Sequence, residues 1–242
     1  MDEFKKQITE ALKDQKEIFG DELFFQKAAK KLDITITKVD LDKEEEISLF
    51  DDREEWEKAE SLEELDSLIN ECTKCPLHKS RKNFVFGVGN PKADIMVIGE
   101  GPGVEEDLQG EPFVGRAGKL LNEILRAINF KREEVYIANV IKSHPPGNRT
   151  PTAEEMEACV PYLKKQIDLI KPKLILCLGL TAAQGLLKKR DSLTKMRGQL
   201  FEYRGTKVMV TYHPAALLRN PHWKRPCWED VQKFRKLYDE MK

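Results

Sequence analysis

Residues 93–103, "ADIMVIGEGPG", decide the fold class because they join a short apolar run to a glycine-rich turn. A run of this length that ends at such a turn is typical of a buried strand in a parallel sheet. The glycines also let backbone amides approach a ligand closely, although an ordinary tight turn has the same composition. The stretch lacks the Walker and dinucleotide-binding fingerprints. It therefore predicts a buried strand followed by a turn that could face another kind of ligand.

Helical and strand-like segments alternate from this stretch to the C-terminus. Helices are predicted over 115–130, 152–170, 181–189 and 228–241, strands over 134–141 and 173–179, and a hairpin over 199–214 that turns near Gly205. Such alternation predicts an α/β fold with a parallel sheet covered by helices on both faces. Ligands gather at the carboxyl ends of the strands in these folds. Three motifs are expected there, at residues 99–103, 139–149 and 213–219.

The first 60 residues are predicted to be an acidic extension and linker, separate from a domain over residues 61–242. Residues 2–32 have the pattern of two amphipathic helices, and residues 33–39 alternate like a short strand. The charge run over residues 39–58 is typical of a solvated linker. The function of the extension is unknown from the sequence, but it is a segment where another protein could bind.

Charge is distributed unevenly along the chain, although the formal net charge is only −1. Residues 1–71 contain 23 acidic and 11 basic residues, whereas residues 72–242 contain 19 acidic and 30 basic residues. A basic body favours a polyanionic partner, and a solvated surface of mixed charge explains it equally well. No apolar run could span a bilayer and the N-terminus lacks a signal-peptide core, so we expect a cytoplasmic protein with no membrane contact.

The glycine-rich turn carries acidic and aromatic side chains that could act on a ligand. Glu100 lies in the turn, and Glu106 follows it among other acids. Carboxylates that face a cleft can order a water or act as a general base, whereas acids at a helix start are also favoured by the helix dipole. Phe113 lies in a second glycine-rich loop, where its ring could stack on a base or fill the core beneath the loop.

Polar residues follow the next two strands in the same way. Asn139 ends a predicted strand, where its amide could read the edge of a base or simply end the strand. Asn148 and Arg149 could contact phosphate or cap the following helix. His213 follows an apolar strand and could donate to negative charge that develops on a substrate, although a lone histidine is more often structural.

The residues after His213 combine apolar and basic side chains. Leu217, Leu218 and Arg219 are predicted to lie on a short turn. Exposed leucine beside arginine is typical of a wedge that enters a nucleic-acid duplex, and a small core helix is the alternative.

An odd number of cysteines without a secretion signal argues against a disulfide framework. The five cysteines are Cys72, Cys75, Cys159, Cys177 and Cys227. The first two form a C-x-x-C pair, a spacing that suits a metal site or a redox pair. Cys177 lies in a predicted buried strand, where a thiol behaves as a small apolar group, and Cys227 could be near the surface.

Five motifs together resemble the family 4, or iron–sulfur, uracil-DNA glycosylases. They are "CTKCPLHKSR", "GEGPGVEEDLQGEPFVGRAGKLL", "YIANVIKSHPPGNRTP", "EEMEACVPYL" and "VTYHPAALLR", and they occur in the family's order. The resemblance covers roughly residues 66–240. It implies a three-layer α/β/α fold with a central, mainly parallel four-stranded sheet. It also implies a monomeric enzyme that flips uracil out of DNA and hydrolyses its glycosidic bond.

The resemblance assigns a role to each candidate residue by motif position. Phe113 matches the stacking position, Asn139 the base-reading amide, and His213 the donor to uracil O2. Glu100 and Glu106 match acidic positions near the water and the pocket mouth, which the sequence does not rank. The Gly101 backbone would complete the pocket, and Leu217 or Leu218 would fill the gap left by the flipped base.

The family's [4Fe–4S] cluster requires four cysteines, and this sequence departs from that pattern. Cys72, Cys75 and Cys159 match three ligand positions, whereas the remaining position holds Ser143, followed by His144. Either residue could supply a fourth ligand, the cluster could keep three, or zinc could replace it on the three cysteines and His144. We expect a retained but weakened cluster, with zinc a less favoured substitute.

Two other functions fit the same residues. One is a glycosylase for another damaged base, and the other is a non-catalytic DNA-binding or polymerase-associated module. The intact set of Glu100, Phe113, Asn139 and His213 favours an enzyme over the non-catalytic module. A glycosylase for another damaged base is the closer rival, and the pocket around Glu106 and Asn139 distinguishes it from a uracil-specific enzyme.

Overall fold

The computed structural model describes residues 36–38 and 53–241. The helices expected within residues 2–32 and most of the expected linker therefore lie outside the described residues. The strands are β1 (Ile36–Lys38), β2 (Val88–Gly89), β3 (Ile95–Gly99), β4 (Tyr136–Asn139), β5 (Leu174–Leu178), β6 (Leu200–Tyr203) and β7 (Thr206–Thr211). The helices are α1 (Leu62–Ile69), α2 (Val104–Gln109), α3 (Arg116–Ala127), α4 (Ala153–Ile170), α5 (Leu180–Leu187), α6 (Leu193–Met196), α7 (Pro214–Arg219) and α8 (Lys224–Asp239).

The strands form one sheet, in which the described part of the chain contributes seven strands in the order β1-β6-β7-β5-β3-β4-β2. The central strands β7, β5, β3 and β4 are parallel. Strand β6 runs antiparallel to β7, β2 runs antiparallel to β4, and β1 is parallel to β6. The α/β class is confirmed, with four parallel strands at its centre. These four strands are the central sheet that the resemblance implied. Strand β6 lies in the predicted hairpin and β1 in the predicted alternating segment, whereas the two-residue edge strand β2 was not predicted.

The two faces of the sheet are covered by separate apolar clusters, as a three-layer fold requires. Alternate residues of β3 point to opposite faces: Met96 and Ile98 pack with α1, α4 and α5, whereas Ile95 and Val97 pack with α3 and α8. Cys177 lies in the first cluster, as predicted for a buried strand. Cys227 lies in the second cluster and is 1% exposed, so its prediction near the surface was wrong.

The predicted hairpin returns the chain to the edge of the sheet where the motifs meet. Arg204 and Gly205 connect β6 to β7 and both have positive φ, at 48° and 81°, as a type I′ turn requires. This turn sends β7 parallel to the central strands. The residue that follows β7, Tyr212, and then His213 therefore lie at the same edge as Asn139.

Residues before the predicted boundary at residue 60 contact the domain. The Trp56 ring lies edge-on to the Tyr162 ring at 4.8 Å, and the Lys165 ammonium donates to the Glu57 carbonyl at 2.7 Å. Strand β1 also pairs with β6. The division at residue 60 stays a prediction. Within the described ranges, no helix is long and apolar enough to cross a membrane.

A buried lysine fixes the chain just beyond the end of β4. Lys142 is fully buried, and its ammonium donates to the Phe86 carbonyl at 3.0 Å and to Gln166 Oε1 at 2.6 Å. Burial lowers the pKa of Lys142 to about 8, so the charged form still dominates at neutral pH. Gln166 also donates to the Phe86 carbonyl at 3.0 Å. These bonds tie the β4 loop to α4.

Replacing Gln166 with leucine should destabilise the fold, because it removes an acceptor from a buried ammonium. Hydrogen bonds to charged groups contribute roughly 1.5–3 kcal/mol, and we expect urea denaturation to show a loss of that size in the free energy of unfolding. Glu157→Gln, on an exposed position of the same helix, should change it by less than about 0.5 kcal/mol. Equal stability of the two variants would contradict this role of Gln166.

Candidate active site

The three motifs meet in a cavity of about 480 Å³ at the carboxyl ends of the central strands. The side chains predicted for the pocket all line this cavity, namely Glu100, Gly101, Glu106, Phe113, Asn139 and His213. The structure therefore brings these residues together around one cavity, and their roles stay predictions. Their chemical roles depend on the geometry of each.

Asn139 presents an unpaired polar atom to the cavity. It ends β4 and is 2% exposed, and its Oδ1 has no hydrogen-bond partner among the residues that the structure describes. A buried acceptor without a donor costs free energy, so the site is arranged to receive a ligand that donates one.

Gly99 makes this arrangement possible, and the sequence analysis did not single it out. A Cβ atom at Gly99 would overlap both Asn139 Oδ1 and the Phe113 ring. Only glycine at the end of β3 therefore lets the amide and the ring come together. The sequence feature that could have identified Gly99 is its place as the first glycine of the glycine-rich turn.

Phe113 occupies a strained backbone conformation beneath the cavity. Its φ of 55° lies in the left-handed region, which a bulky residue rarely adopts. The loop packs so closely on α3 that a Cβ at Gly118 would overlap the Phe113 carbonyl. The ring centroid lies 5.4 Å from that of His213 with the planes tilted by 31°, and the side chain is 6% exposed. Strain of this kind persists where the surrounding structure fixes it, often at functional sites.

His213 is the N-cap of α7, and this position fixes its tautomer. Nδ1 accepts from the Ala215 amide at 3.2 Å, so the proton of the neutral ring is on Nε2. Burial lowers the pKa of His213 to about 4, helped by the positive charge of Arg219 and opposed by Glu106. The ring is therefore neutral near pH 7 and offers one N–H donor.

The two acidic residues, which the sequence left unranked, have different surroundings. Glu106 Oε2 accepts from the Gly103 amide at 3.1 Å, and Oε1 accepts from the amides of Val114 and Gly115 at 3.0 Å each. Glu106 thus joins the start of α2 to the loop of Phe113. No described residue donates a hydrogen bond to the Glu100 carboxylate, which also lines the cavity.

The rim of the cavity carries Asn148, Arg149 and Arg219. Arg149 forms a paired ion contact with Glu155, with distances of 2.6 and 2.8 Å, and Glu155 caps α4 through the Thr152 amide. Arg149 therefore contacts the carboxylate that caps α4 and does not itself cap the helix, and its predicted contact with phosphate stays a prediction. Asn148 is exposed and has a left-handed φ of 55°.

The short helix α7 turns the two leucines predicted as a wedge in different directions. Leu217 is fully buried and packs in the core, whereas Leu218 is 41% exposed. The prediction that Leu217 could enter a duplex is therefore wrong, because the phase of the helix turns it inward. Leu218 keeps an exposed position beside Arg219.

The cysteines of the predicted cluster lie behind the cavity, next to one apolar core. Cys72 Sγ is 3.2 Å from the Tyr162 hydroxyl, and Cys159 Sγ accepts from the Lys142 amide at 3.3 Å. Burial raises the pKa of Cys75 and that of Cys159, the latter to about 12, and the neighbouring thiols contribute in the same direction. The three thiols are therefore within electrostatic reach of one another.

The fourth ligand position differs from the other three. Ser143 is 4% exposed, and its hydroxyl accepts from the Arg81 guanidinium at 3.2 Å. The same guanidinium donates to the carbonyls of Cys72 and Asn70 at 2.7 and 3.1 Å. His144 instead bonds the Pro102 carbonyl through Nδ1 at 2.9 Å, beside the cavity.

This donor set fits zinc less well than an iron–sulfur cluster. Among the described residues, no group of three or more histidine, cysteine or acidic side chains converges on a single metal position. Zinc requires its four ligands around one ion, so Cys72, Cys75, Cys159 and His144 do not form that site here. A [4Fe–4S] cluster places each cysteine on a different iron, so the three thiols need not converge.

Comparisons with known proteins agree with this site. Residues 86–232 match the family described as the Uracil DNA glycosylase superfamily. The chain is 46% identical over 187 residues to the type-4 uracil-DNA glycosylase of Archaeoglobus fulgidus, which covers 73% of this chain and 94% of that protein. It is 47% identical over 182 residues to the type-4 uracil-DNA glycosylase of Thermotoga maritima, covering 74% and 95%. A DNA polymerase of Bacillus phage SP01 is 32% identical over 147 residues, which cover 60% of this chain and 16% of the polymerase.

The protonation state of His213 can be measured directly by NMR. The chain has four histidines, and a His213→Asn variant assigns its signal. We expect His213 to become neutral as the pH rises through about 4, because burial disfavours the imidazolium. Arg219→Gln should raise this pKa, because a positive neighbour is removed. A titration midpoint near the ordinary value of about 6.5 would contradict the description of His213 as a neutral donor.

Proposed function

The chain belongs to the type-4 uracil-DNA glycosylases, and we propose that it excises uracil from DNA and leaves an abasic site. The observation that carries the proposal is the unpaired Asn139 acceptor in a cavity that also holds Phe113 and a neutral His213. A base within a duplex cannot reach such a cavity. The uracil is therefore flipped out of the stack before it reacts.

Asn139 reads the base by pairing with two adjacent groups of its Watson–Crick edge at once. Its Oδ1, which lacks a partner within the described residues, accepts from uracil N3–H, and its Nδ2 donates to O4. Cytosine offers an acceptor at N3 and a donor at position 4, so it reverses both contacts and is rejected. Phe113 stacks on the pyrimidine ring, and the backbone at Gly101 closes the pocket.

Bond cleavage requires that the negative charge which develops on the leaving base is stabilised. The bond between sugar C1′ and uracil N1 breaks heterolytically, which leaves an oxocarbenium-like sugar and a uracil anion. His213 Nε2–H donates to O2, where the anion's charge develops, and a donor fixed in advance needs no reorganisation. Because the ring is neutral, it stabilises the anion without having to give up its proton.

The sugar cation is quenched by water that one carboxylate positions. We assign this role to Glu100, because three backbone amides already occupy the Glu106 carboxylate. Glu100 accepts a proton as the water oxygen bonds to C1′. Glu106 is then a positioning residue, which keeps the loop of Phe113 against α2.

DNA is held around the cavity by residues of the rim. Leu218 fills the gap that the flipped base leaves, in the manner of apolar wedges that enter between base steps. Arg219 and Asn148 contact phosphates, and Arg149 acts by holding its loop through Glu155. Three further points stay predictions: the chain acts as a monomer, it is cytoplasmic, and residues 1–60 bind another protein.

Cys72, Cys75 and Cys159 would hold a [4Fe–4S] cluster, weakened because Ser143 takes the fourth cysteine's place. When bound, the cluster would cross-link the C-x-x-C segment and α4 and would take no part in bond cleavage. Serine must lose its proton to bind iron well, which neutral pH disfavours. Arg81 already donates to the Ser143 hydroxyl, and this contact competes further with ligation.

Uracil excision is tested with a uracil-containing oligonucleotide followed by alkaline cleavage of abasic sites. We expect the wild type to cut and Asn139→Asp to lose roughly 2–4 kcal/mol of transition-state stabilisation, because a carboxylate cannot donate to O4. His213→Ala should lose a similar amount. Asn90→Asp, the same change at the opposite end of the sheet, should leave excision unchanged. An inactive wild type, at micromolar enzyme and long incubation, would contradict the proposal and favour a non-catalytic module or another base.

The cluster is tested by comparing the wild type with Ser143→Cys after anaerobic purification with iron and sulfide. The wild type should absorb broadly near 400 nm and bleach in air faster than the variant, whose fourth thiolate restores the ligand set. Thermal stability should rise in the variant. Wild-type protein that contains zinc or no metal would contradict a retained cluster. Identical cluster lifetimes would show that Ser143 does not occupy the ligand position.

A further inference from the structure

An exposed aromatic stack lies immediately beside His213, outside the uracil cavity. The Tyr212 and Trp223 rings are 5.0 Å apart and nearly parallel, with an interplanar angle of 17°. Trp223 is 40% exposed and lies in the 3-10 turn Pro221–Trp223, directly after α7. A large exposed indole is unusual for a residue with only a structural role, because burial would stabilise it more.

The stack is held rigidly from its inner side. The Arg197 guanidinium lies over the Tyr212 ring at 5.5 Å. Arg197 is fixed in turn by Asp230 at 2.9 Å and by the Pro226 carbonyl at 2.6 Å. Trp223 is the exposed member of this stack. A further planar group can add to its outer face with little loss of side-chain entropy.

The surroundings of Trp223 favour a polyanion. Residues 212–228 contain no aspartate or glutamate, and they include three lysine or arginine side chains, of which Arg225 also lies 3.8 Å from the Glu229 carboxylate. Arg219, His222 and Arg225 are exposed, and Arg219 also lines the uracil cavity. The aromatic stack and the rim of the cavity are therefore joined by one segment of the chain that carries basic and no acidic side chains. Stacking rings within a basic groove are the usual means of binding single-stranded nucleic acid.

We propose that the outer face of Trp223 is a binding subsite for an unpaired nucleobase of the DNA strand, separate from the uracil pocket. This inference rests on the proposed function in that both require DNA at this surface. Every base has a π-face, so the subsite tolerates any sequence. In a duplex the faces of the bases are covered by their neighbours. The subsite consequently favours single-stranded DNA.

The test uses uracil-free oligo(dT), so that binding is measured without cleavage. Fluorescence anisotropy of the labelled strand gives the affinity, at low salt because phosphate contacts weaken as salt rises. Trp223→Leu should bind about tenfold more weakly, since a stacked base contributes on that order. Trp223→Phe should keep most of the affinity, because a ring remains. Leu68→Ala, at an apolar position with similar exposure (42%) on α1, should change it less than about twofold.

Intrinsic fluorescence provides an independent readout. The chain has three tryptophans, and Trp228 is buried whereas Trp56 is partly buried. Oligo(dT) should quench wild-type emission, and most of this quenching should disappear in Trp223→Phe. A Trp223→Leu protein with wild-type circular dichroism and unchanged oligo(dT) affinity would overturn the inference. So would a Trp223→Leu protein whose affinity for a matched duplex falls as much as its affinity for oligo(dT). If Trp223→Leu loses binding but the wild type excises no uracil, the subsite stands and the proposed function fails.

Discussion

The absence of a side chain at Gly99 is the constraint on which the whole cavity depends. Strand β3 is buried on both faces, so its end is fixed, and the neighbouring strand brings Asn139 level with it. Any Cβ at that point would occupy the space of both the amide and the Phe113 ring. The other parts of the site are arranged around this contact. Gly118 lets the Phe113 loop approach α3, and Glu106 binds the loop to the start of α2.

Much of the fold and site could be predicted, because both follow local patterns. The apolar runs of β3 and β5 and the turn at Gly205 are each recognisable from composition and spacing. The carboxyl ends of parallel strands necessarily meet, so Asn139 and His213 could be placed together before their distances were known. Strand β1 lies within residues 33–39, whose alternation already indicated a short strand, whereas β2 has only two residues, too few to show an alternation. The edge strand β2 was therefore not predicted.

Other features depend on contacts that no local pattern encodes. Glu106 resembles Glu100 in sequence, and only the approach of the amides of Val114 and Gly115 distinguishes them. Leu217 and Leu218 are adjacent, and the phase of a six-residue helix decides which is buried. The surroundings of the cysteines are also not encoded locally. Arg81, Lys142 and Tyr162 make hydrogen bonds to this region from distant parts of the chain. Those bonds link segments that are far apart in the sequence.

His213 combines two duties in one ring, since Nδ1 caps α7 while Nε2 faces the cavity. Capping is a task that serine, asparagine and aspartate perform at least as well in most helices. Serine, asparagine or aspartate at this position would therefore keep the cap of α7 while removing the imidazole N–H from the cavity. At this position, loss of the imidazole donor does not require loss of helix α7. The helix that presents Leu218 and Arg219 at the rim consequently does not depend on the imidazole for its start.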